Sequence, residues 1–345
     1  MKNNFNQKIL VLGGGGFIGR NIVKSLINDS SIFVTAADIK ISSKDFEIKF
    51  ENLEIIEADF TLKNSFDLLR KDYDKVYLLA AIVGVNKTIN NPEKVILTNT
   101  LLTINTINWI FANKIRRVLF ASSSENYASS TDFFNYTVPT DEEVPLAITD
   151  ISHPRWTYAI TKMHGESAFL NSAKSYNFET VIVRYQNIIG PKMGFGHAIP
   201  HIVERFYLQE KPFKIYGSNQ TRAFCYIEDA VIGTVSSMEN GANGEIFHIG
   251  NDQEVTIEEL TKFIGELLNY RGQYESAETY PGSVSRRCPD ISKSKSMLKY
   301  YPKYDWKEAV KLSVEWYQKF YDEGNKPISG GFVPPENTLS WFKEF

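Results

Sequence analysis

The chain has 345 residues, 43% of them hydrophobic and 23% charged, enough to bury a large core in one domain or two unequal ones. Its formal net charge of -3 supplies no global basic field for nucleic acid or an acidic membrane, so an anionic ligand must be held by local groups. Cys225 and Cys288 are too few and too far apart for a disulfide framework or a metal site, and the expected setting is reduced and cytoplasmic.

The start of the chain is polar, and the run Ile9-Leu-Val-Leu12 stops at glycines. Four residues are too few for a signal sequence or a membrane span and read as a buried first strand. Strand candidates at 8–12, 32–37, 53–58, 75–80, 116–121 and 179–185 alternate with helical patterns at 17–28, 62–71, 92–113 and 156–176. That rhythm predicts an α/β fold, a Rossmann-like doubly wound parallel sheet with right-handed crossovers. Runs such as Val76-Tyr-Leu-Leu-Ala80 suit strands covered on both faces. After residue 186 the rhythm breaks at Gly190, Pro191, Gly194 and Gly196. Shorter elements at 213–216, 224–227, 229–238, 246–249, 256–269 and 305–321 read as a smaller C-terminal α/β lobe closing over the carboxyl edge of the sheet. The expected division is a cofactor domain over 1–186 with part of 220–250, a substrate lobe over 187–322, and an arm over 323–345 carrying Trp341 and Phe342.

The first strand runs into Gly13-Gly-Gly-Gly16-Phe17-Ile18-Gly19 and then a helical pattern. Glycines there permit a tight turn and let a pyrophosphate approach the backbone at a helix N-terminus. Asp38 ends the second strand, 19 residues beyond Gly19, where a carboxylate would bond the adenosine ribose and repel a 2′-phosphate. NAD is therefore expected over NADP, with Lys40 working the other way. Asp59-Phe60, after the third strand, either meets the adenine or is an ordinary solvated strand end.

The most informative stretch is Trp156-Thr-Tyr158-Ala-Ile-Thr-Lys162. Tyr158 and Lys162 stand one helical turn apart on one face. An ammonium beside a phenol favours the phenolate, which can take a proton from a sugar hydroxyl while hydride leaves for a nicotinamide. Upstream, Ser122-Ser123-Ser124-Glu125 follows the fifth strand at the carboxyl edge, where ligands of such sheets bind. Its bland alternative is a serine-rich helix cap.

Together, the glycine turn, Asp38, Ala80-Ala81, the serine strand end and Tyr158-x-x-x-Lys162 resemble the extended short-chain dehydrogenases that act on nucleotide sugars. The resemblance continues through Arg184-Tyr-Gln-Asn187, Thr221-Arg222-Ala-Phe, Tyr226-Ile-Glu-Asp229, His248-Ile-Gly250 and Arg287-Cys-Pro-Asp290, covering about 8 to 320. It implies NAD as cofactor, held by Gly13, Gly16, Phe17, Ile18, Gly19, Asp38, Asp59, Phe60, Ala80, Ala81, Asn99, Tyr158 and Lys162. It implies Ser123, Tyr158 and Lys162 as the catalytic triad, a nucleotide-diphosphate sugar as substrate, Asn187 on the sugar or its phosphate, and Arg222 and Arg287 on the diphosphate. His197 either lies near the nucleotide or caps a helix. Two departures stand out: Ala128 where the family usually has Gly, and Leu78-Leu79-Ala80 in place of His-x-Ala.

The family's shared opening move would be oxidation at C4 of the sugar. Glu125, with Ser124 beside it, is the residue expected to select among the reactions open to the 4-keto sugar. In sugar-nucleotide 4,6-dehydratases a Glu at this place takes the C5 proton, and this outcome is the leading expectation. A UDP-glucuronate-type decarboxylase is an alternative, because Pro154-Arg-Trp-Thr-Tyr158 is similar to a run in one bacterial branch of those enzymes. So is a 4-epimerase, in which Glu125 would be structural. A non-catalytic NAD-sensing regulator is the remote alternative, since such proteins typically lose the Tyr or the Lys. A homodimer through helices at 92–113 and 156–176 is expected by analogy. Leu97, Leu101, Ile104 and Ile107 have the spacing for it, and equally for packing on the chain's own sheet.

Overall fold

The computed structural model describes residues 5–46, 50–279 and 283–326. Strands β1 (Gln7–Leu12), β2 (Ile32–Asp38), β3 (Leu53–Glu57), β4 (Lys75–Leu78), β5 (Arg117–Ser123) and β6 (Glu179–Tyr185) fall within three residues of their expected ends. Helices α1 (Phe17–Ile27), α2 (Val85–Asn90), α3 (Pro92–Asn113), α4 (Ala128–Phe133) and α5 (Thr157–Tyr176) connect them. The second half holds β7 (Ile188–Ile189), α6 (Ala198–Tyr207), β8 (Phe213–Tyr216), β9 (Thr221–Ala223), β10 (Cys225–Tyr226) and α7 (Ile227–Asn240). It continues with β11 (Ile246–Ile249), β12 (Glu254–Thr256), α8 (Ile257–Leu267), β13 (Tyr274–Ala277), β14 (Arg286–Arg287), α9 (Ser292–Leu298) and α10 (Trp306–Asp322).

Seven strands form one parallel sheet in the order β11-β6-β5-β4-β1-β2-β3. The chain starts in the middle, winds outward to β3 and returns across β1 to β4, so a crevice opens between the carboxyl ends of β1 and β4. Both faces are covered. On one, Ile9, Val11, Ile22 and Val34 pack into a large cluster that runs on into the second half of the chain. On the other, Leu10, Leu12, Val76 and Phe120 meet Trp109, Ile110 and Phe169. Full burial of β1 from Ile9 to Leu12 explains its unbroken apolar run.

Residues 63–68 form a short 3-10 turn instead of the helix expected over 62–71; only Phe66 of the turn is buried, too little apolar surface to hold a longer helix. The 246–249 strand, grouped with the shorter later elements but within the stretch 220–250 of which part is expected in the cofactor domain, is β11, the seventh strand of the main sheet against β6. The smaller sheets β12-β9-β14, β13-β8 and β10-β7 form beyond the carboxyl edge. Of the arm expected over 323–345, residues 327–345, with Trp341 and Phe342, lie outside the described residues.

Candidate active site

At the crevice, Gly13 adopts φ +93°, and a Cβ there would stand 2.4 Å from the Ala80 amide nitrogen. At Gly19 a Cβ would lie 2.0 Å from the Gly13 carbonyl oxygen. Both positions are closed to any side chain, which keeps the turn flat against β4 and the first turn of α1. Gly16 occupies the N-cap of α1 and brings no side-chain acceptor, so the first N–H groups of the helix, on Phe17, Ile18 and Gly19, are left to an incoming anion. Asp38 Oδ2 accepts from the Gly15 amide at 3.1 Å, which turns the carboxylate toward the glycine turn. Burial raises the Asp38 carboxyl above its usual range, opposed by the backbone N–H groups of Lys40 and Gly15. This cradle fits a dinucleotide: it has room for a pyrophosphate, a helix N-terminus facing it and an acid for a ribose.

Three expected cofactor residues also make contacts within the protein. Asp59 Oδ1 accepts from the Thr61 amide and hydroxyl at 2.9 and 2.7 Å, capping its own turn. Phe60 is core, 4% exposed and edge-on to Phe66, so its ring does not face a ligand. Asn99, on α3, accepts from Ile82 N at 2.8 Å and donates to Ile82 O and to Thr161 Oγ1. It pins the Ala80-Ala81-Ile82 segment to α3 and α5 and thereby shapes the cradle wall.

At the carboxyl end of β5, Ser123 accepts from the Glu125 amide at 3.3 Å, and its hydroxyl is near enough to the Tyr158 phenol to oppose the rise in its pKa. Ser124, expected at the reaction centre, is closed off from solvent within the turn. Lys162 is buried; its Nζ donates to the Ala121 carbonyl at 2.7 Å and lies 5.7 Å from the centre of the Tyr158 ring. Burial drives the Tyr158 phenol above its ordinary range, with the Ser123 hydroxyl opposing, and pulls the Lys162 amine down to about 7 against the charge of Glu166. The expected lowering of the phenol by Lys162 is thus reversed in the free protein. Both groups are desolvated, and the lysine spends a donor on Ala121.

Glu125 corrects a second expectation. Arg155 Nη2 stands 2.6 Å from its Oε2, and Arg287 Nη1 donates to its Oε1 at 2.6 Å. Burial alone would raise this carboxyl, but the charges and hydrogen bonds of Arg155 and Arg287 outweigh it and hold the group far below the usual carboxylate range. The carboxylate is ion-paired on both oxygens but hydrogen-bonded only at Oε1, since the Arg155 contact at Oε2 lacks hydrogen-bond geometry. Its lowered affinity for a proton makes it a weaker base than the one expected. Arg287, expected on a diphosphate, spends one nitrogen on Glu125; its buried Nε and Nη2 have no partner among the described residues. Arg222 stands opposite it in the β9–β14 pair, and burial followed by the Arg287 charge pulls its guanidinium down to about 10. Three guanidiniums share the charges of Glu125 and Asp132, which leaves one positive charge in excess and room for an anion to bind.

Arg155 is the residue that sequence reasoning passes over, although it lies within the Pro154-Arg-Trp-Thr-Tyr158 run. Its partner, 30 positions away on another turn, gives no spacing signal. Asn187 adopts φ +42° and donates to Ala223 O at 3.0 Å, tying β7 to β9. His197 holds the N-cap position of α6 without a side-chain cap bond, so the capping alternative fails; burial, then the Lys87 charge, lowers its imidazole below 6.5.

A glycine cradle at the switch point of a parallel sheet, with a Ser–Tyr–Lys set beside it and an arginine-rich pocket opposite, defines an enzyme that uses a dinucleotide to work on a hydroxyl of an anionic substrate. The chain belongs to the NAD dependent epimerase/dehydratase family, whose model matches residues 9–250. It is 32% identical to the UDP-N-acetyl-alpha-D-glucosaminuronate decarboxylase of Bacillus cytotoxicus over 92% of this chain and 99% of that one. It is 29% identical to a putative UDP-glucose 4-epimerase of Methanocaldococcus jannaschii, over 89% and 97%. Among solved structures it is similar to the UDP-glucose 4-epimerase of Thermotoga maritima with UDP-glucose, with TM-score 0.79, 26% identity and coverage of 91% and 99%. The protein is an NAD-dependent enzyme that modifies nucleotide sugars.

Proposed function

We propose that this enzyme decarboxylates a UDP-linked uronic acid. The observation that carries this reading is Glu125 clamped between Arg155 and Arg287, which takes away the base that a 4,6-dehydratase needs and leaves cationic donors for a substrate carboxylate. The 32% identity to a UDP-uronate decarboxylase over nearly its full length supports it.

NAD, which Gly13, Gly16, Gly19 and Asp38 would hold, would supply a reversible hydride acceptor for C4 of the sugar. Tyr158 takes the proton of the C4 hydroxyl, and Ser123 bonds the same oxygen and holds it in line. Lys162 would favour the ionised tyrosine when it carries its proton, although burial pulls its amine down to about 7 in the free protein. The resulting 4-keto uronate is a β-keto acid, so it would lose carbon dioxide without a base, its electron pair passing into the C4–C5 enolate. A proton from water at C5 would restore the C4 ketone, and Tyr158 would give its proton back to the C4 oxygen as that ketone is reduced. Arg287 would dock the carboxylate through its unpartnered Nε and Nη2, a fork suited to carboxylate oxygens. Arg222 and Asn187 would line the side of the diphosphate, and Glu125 would keep the guanidiniums aligned.

We also propose a homodimer through α3 and α5. Leu97, Leu101 and Ile104 are exposed on α3 at helical spacing, while Ile107 turns into the chain's own core.

The test is to incubate the purified protein with UDP-glucuronate, UDP-N-acetylglucosaminuronate and UDP-glucose and to follow product mass. Loss of carbon dioxide from a uronate, abolished by Tyr158→Phe with NAD binding kept, is the expected result. Loss of water, or a stereoisomer of unchanged mass, would replace this reading with dehydration or epimerisation.

A further inference from the structure

Glu125 lies two residues beyond Ser123 with its charge acting on Tyr158, and a second guanidinium is superfluous if its only task is to orient that carboxylate, since Arg287 already does so. Arg155 is 8% exposed, lies against the Trp156 ring with its guanidinium carbon 5.4 Å from the ring centre, and stands at ion-pair distance, 2.6 Å, without hydrogen-bond geometry, from the Glu125 oxygen that Arg287 leaves open. The remaining charged groups acting on this cluster are Arg222 and Asp132, and Glu125 in turn acts on Tyr158.

We propose that Arg155 is a positioning residue that decides the fate of the 4-keto sugar: by occupying Glu125 Oε2 it withholds a base from C5 and reserves the keto sugar for loss of carbon dioxide. This inference rests on the decarboxylase reading. Once C4 is a ketone, two bonds to C5 compete, because breaking either delivers an electron pair into the same enolate. Breaking C5–C6 releases carbon dioxide and needs no acceptor. Breaking C5–H requires a group to take the proton, and Glu125 is the carboxylate whose charge reaches Tyr158. With Arg155 gone, Oε2 is free to accept that proton and to return it, while Arg287 still holds Oε1 and keeps the carboxylate in place.

The experiment uses the full-length enzyme with NAD and UDP-4-keto-6-deoxyglucose in deuterium oxide. In this probe the ketone is already present and there is no carboxylate, so exchange at C5 requires a base and no hydride transfer. Wild type is expected to leave the C5 hydrogen in place, as is Arg155→Lys, which keeps the cation. Arg155→Gln and Arg155→Met are expected to exchange it about 10²-fold faster, the low end of what a positioned general base contributes. Adding Glu125→Gln to either should abolish the gain. NAD-induced stabilisation and saturable probe binding establish that each variant is folded and loaded; two variants that bind the probe and exchange no faster than wild type would overturn the proposal. So would rapid exchange in wild type. Carbon dioxide release from the uronates by wild type is measured in parallel, so failure of the decarboxylase reading is seen separately from failure of the role given to Arg155.

Discussion

The carboxylate of Glu166 and the guanidinium of Arg184 face each other through two hydrogen bonds of 2.9 and 2.8 Å, both groups buried beneath the reaction site. Glu166 also accepts from the Ser122 hydroxyl at 2.5 Å and from Asn126 Nδ2 at 2.8 Å. One carboxylate therefore joins α5, which carries Tyr158 and Lys162, to β5 and β6 and to the turn that carries Glu125.

Replacing Glu166 with Ala strands Arg184 in the interior with its charge unmatched. Breaking a buried pair from one side costs about 3–5 kcal/mol. Urea unfolding should show that loss as a lower midpoint at an unchanged slope. A midpoint within the scatter of surface variants would mean that solvent reaches Arg184.

The glycine cradle tolerates even less change. In Gly19→Ala the new methyl carbon meets the Gly13 carbonyl at 2.0 Å and forces the turn off the start of α1. NAD at a hundredfold its dissociation constant stabilises a binding-competent protein by about 2.7 kcal/mol, seen as a rise in melting temperature. Wild type should show the rise and the variant none, and an equal rise would place the dinucleotide elsewhere.

Acid stability is set in part by His248, which is fully buried on β11 and whose imidazole burial, then the Arg184 charge, pull down to about 3. Between about 6.5 and about 3 the unfolded chain binds a proton there and the native protein does not, so stability falls as pH falls through that window. The slope from this group approaches about 1.4 kcal/mol per pH unit at most. Urea titrations from neutral to mildly acid pH should show it, and His248→Gln should flatten it. An unchanged slope would assign the acid lability to carboxylates.

The proposed dimer is tested on α3, where Leu101 and Ile104 are 40% and 41% exposed. Leu101→Glu combined with Ile104→Glu should give a monomer by light scattering while NAD binding persists. A mass equal to that of wild type would remove this face from consideration.

The parts of this protein that can be read from sequence are those whose physics is local. A strand buried on both faces leaves an apolar run, a phosphate turn leaves glycines, and Tyr158 and Lys162 share a helix face, so their order is legible. Glu125 is visible in the sequence but its role is not, because its protonation depends on Arg287, 162 positions away, and on Arg155 behind a separate turn. The state of Lys162 is hidden for a related reason: the depth of its burial and its bond to Ala121 are properties of the assembled core. Phe60 and Asp59 illustrate the same limit, since side-chain direction at a strand end is decided by Phe66 and Thr61 rather than by position in a motif.

Arg222 and Arg287 stand opposite each other on two short paired strands outside the main sheet, whereas Tyr158 and Lys162 belong to α5, packed against the main sheet itself. The arginines proposed to dock the substrate's anionic groups are thus mounted apart from the tyrosine and lysine, whereas Arg155 and Glu125 lie on the turns next to α5 and β5. Substitutions on the small sheet therefore reach the substrate-docking side without disturbing the packing of α5 on the main sheet.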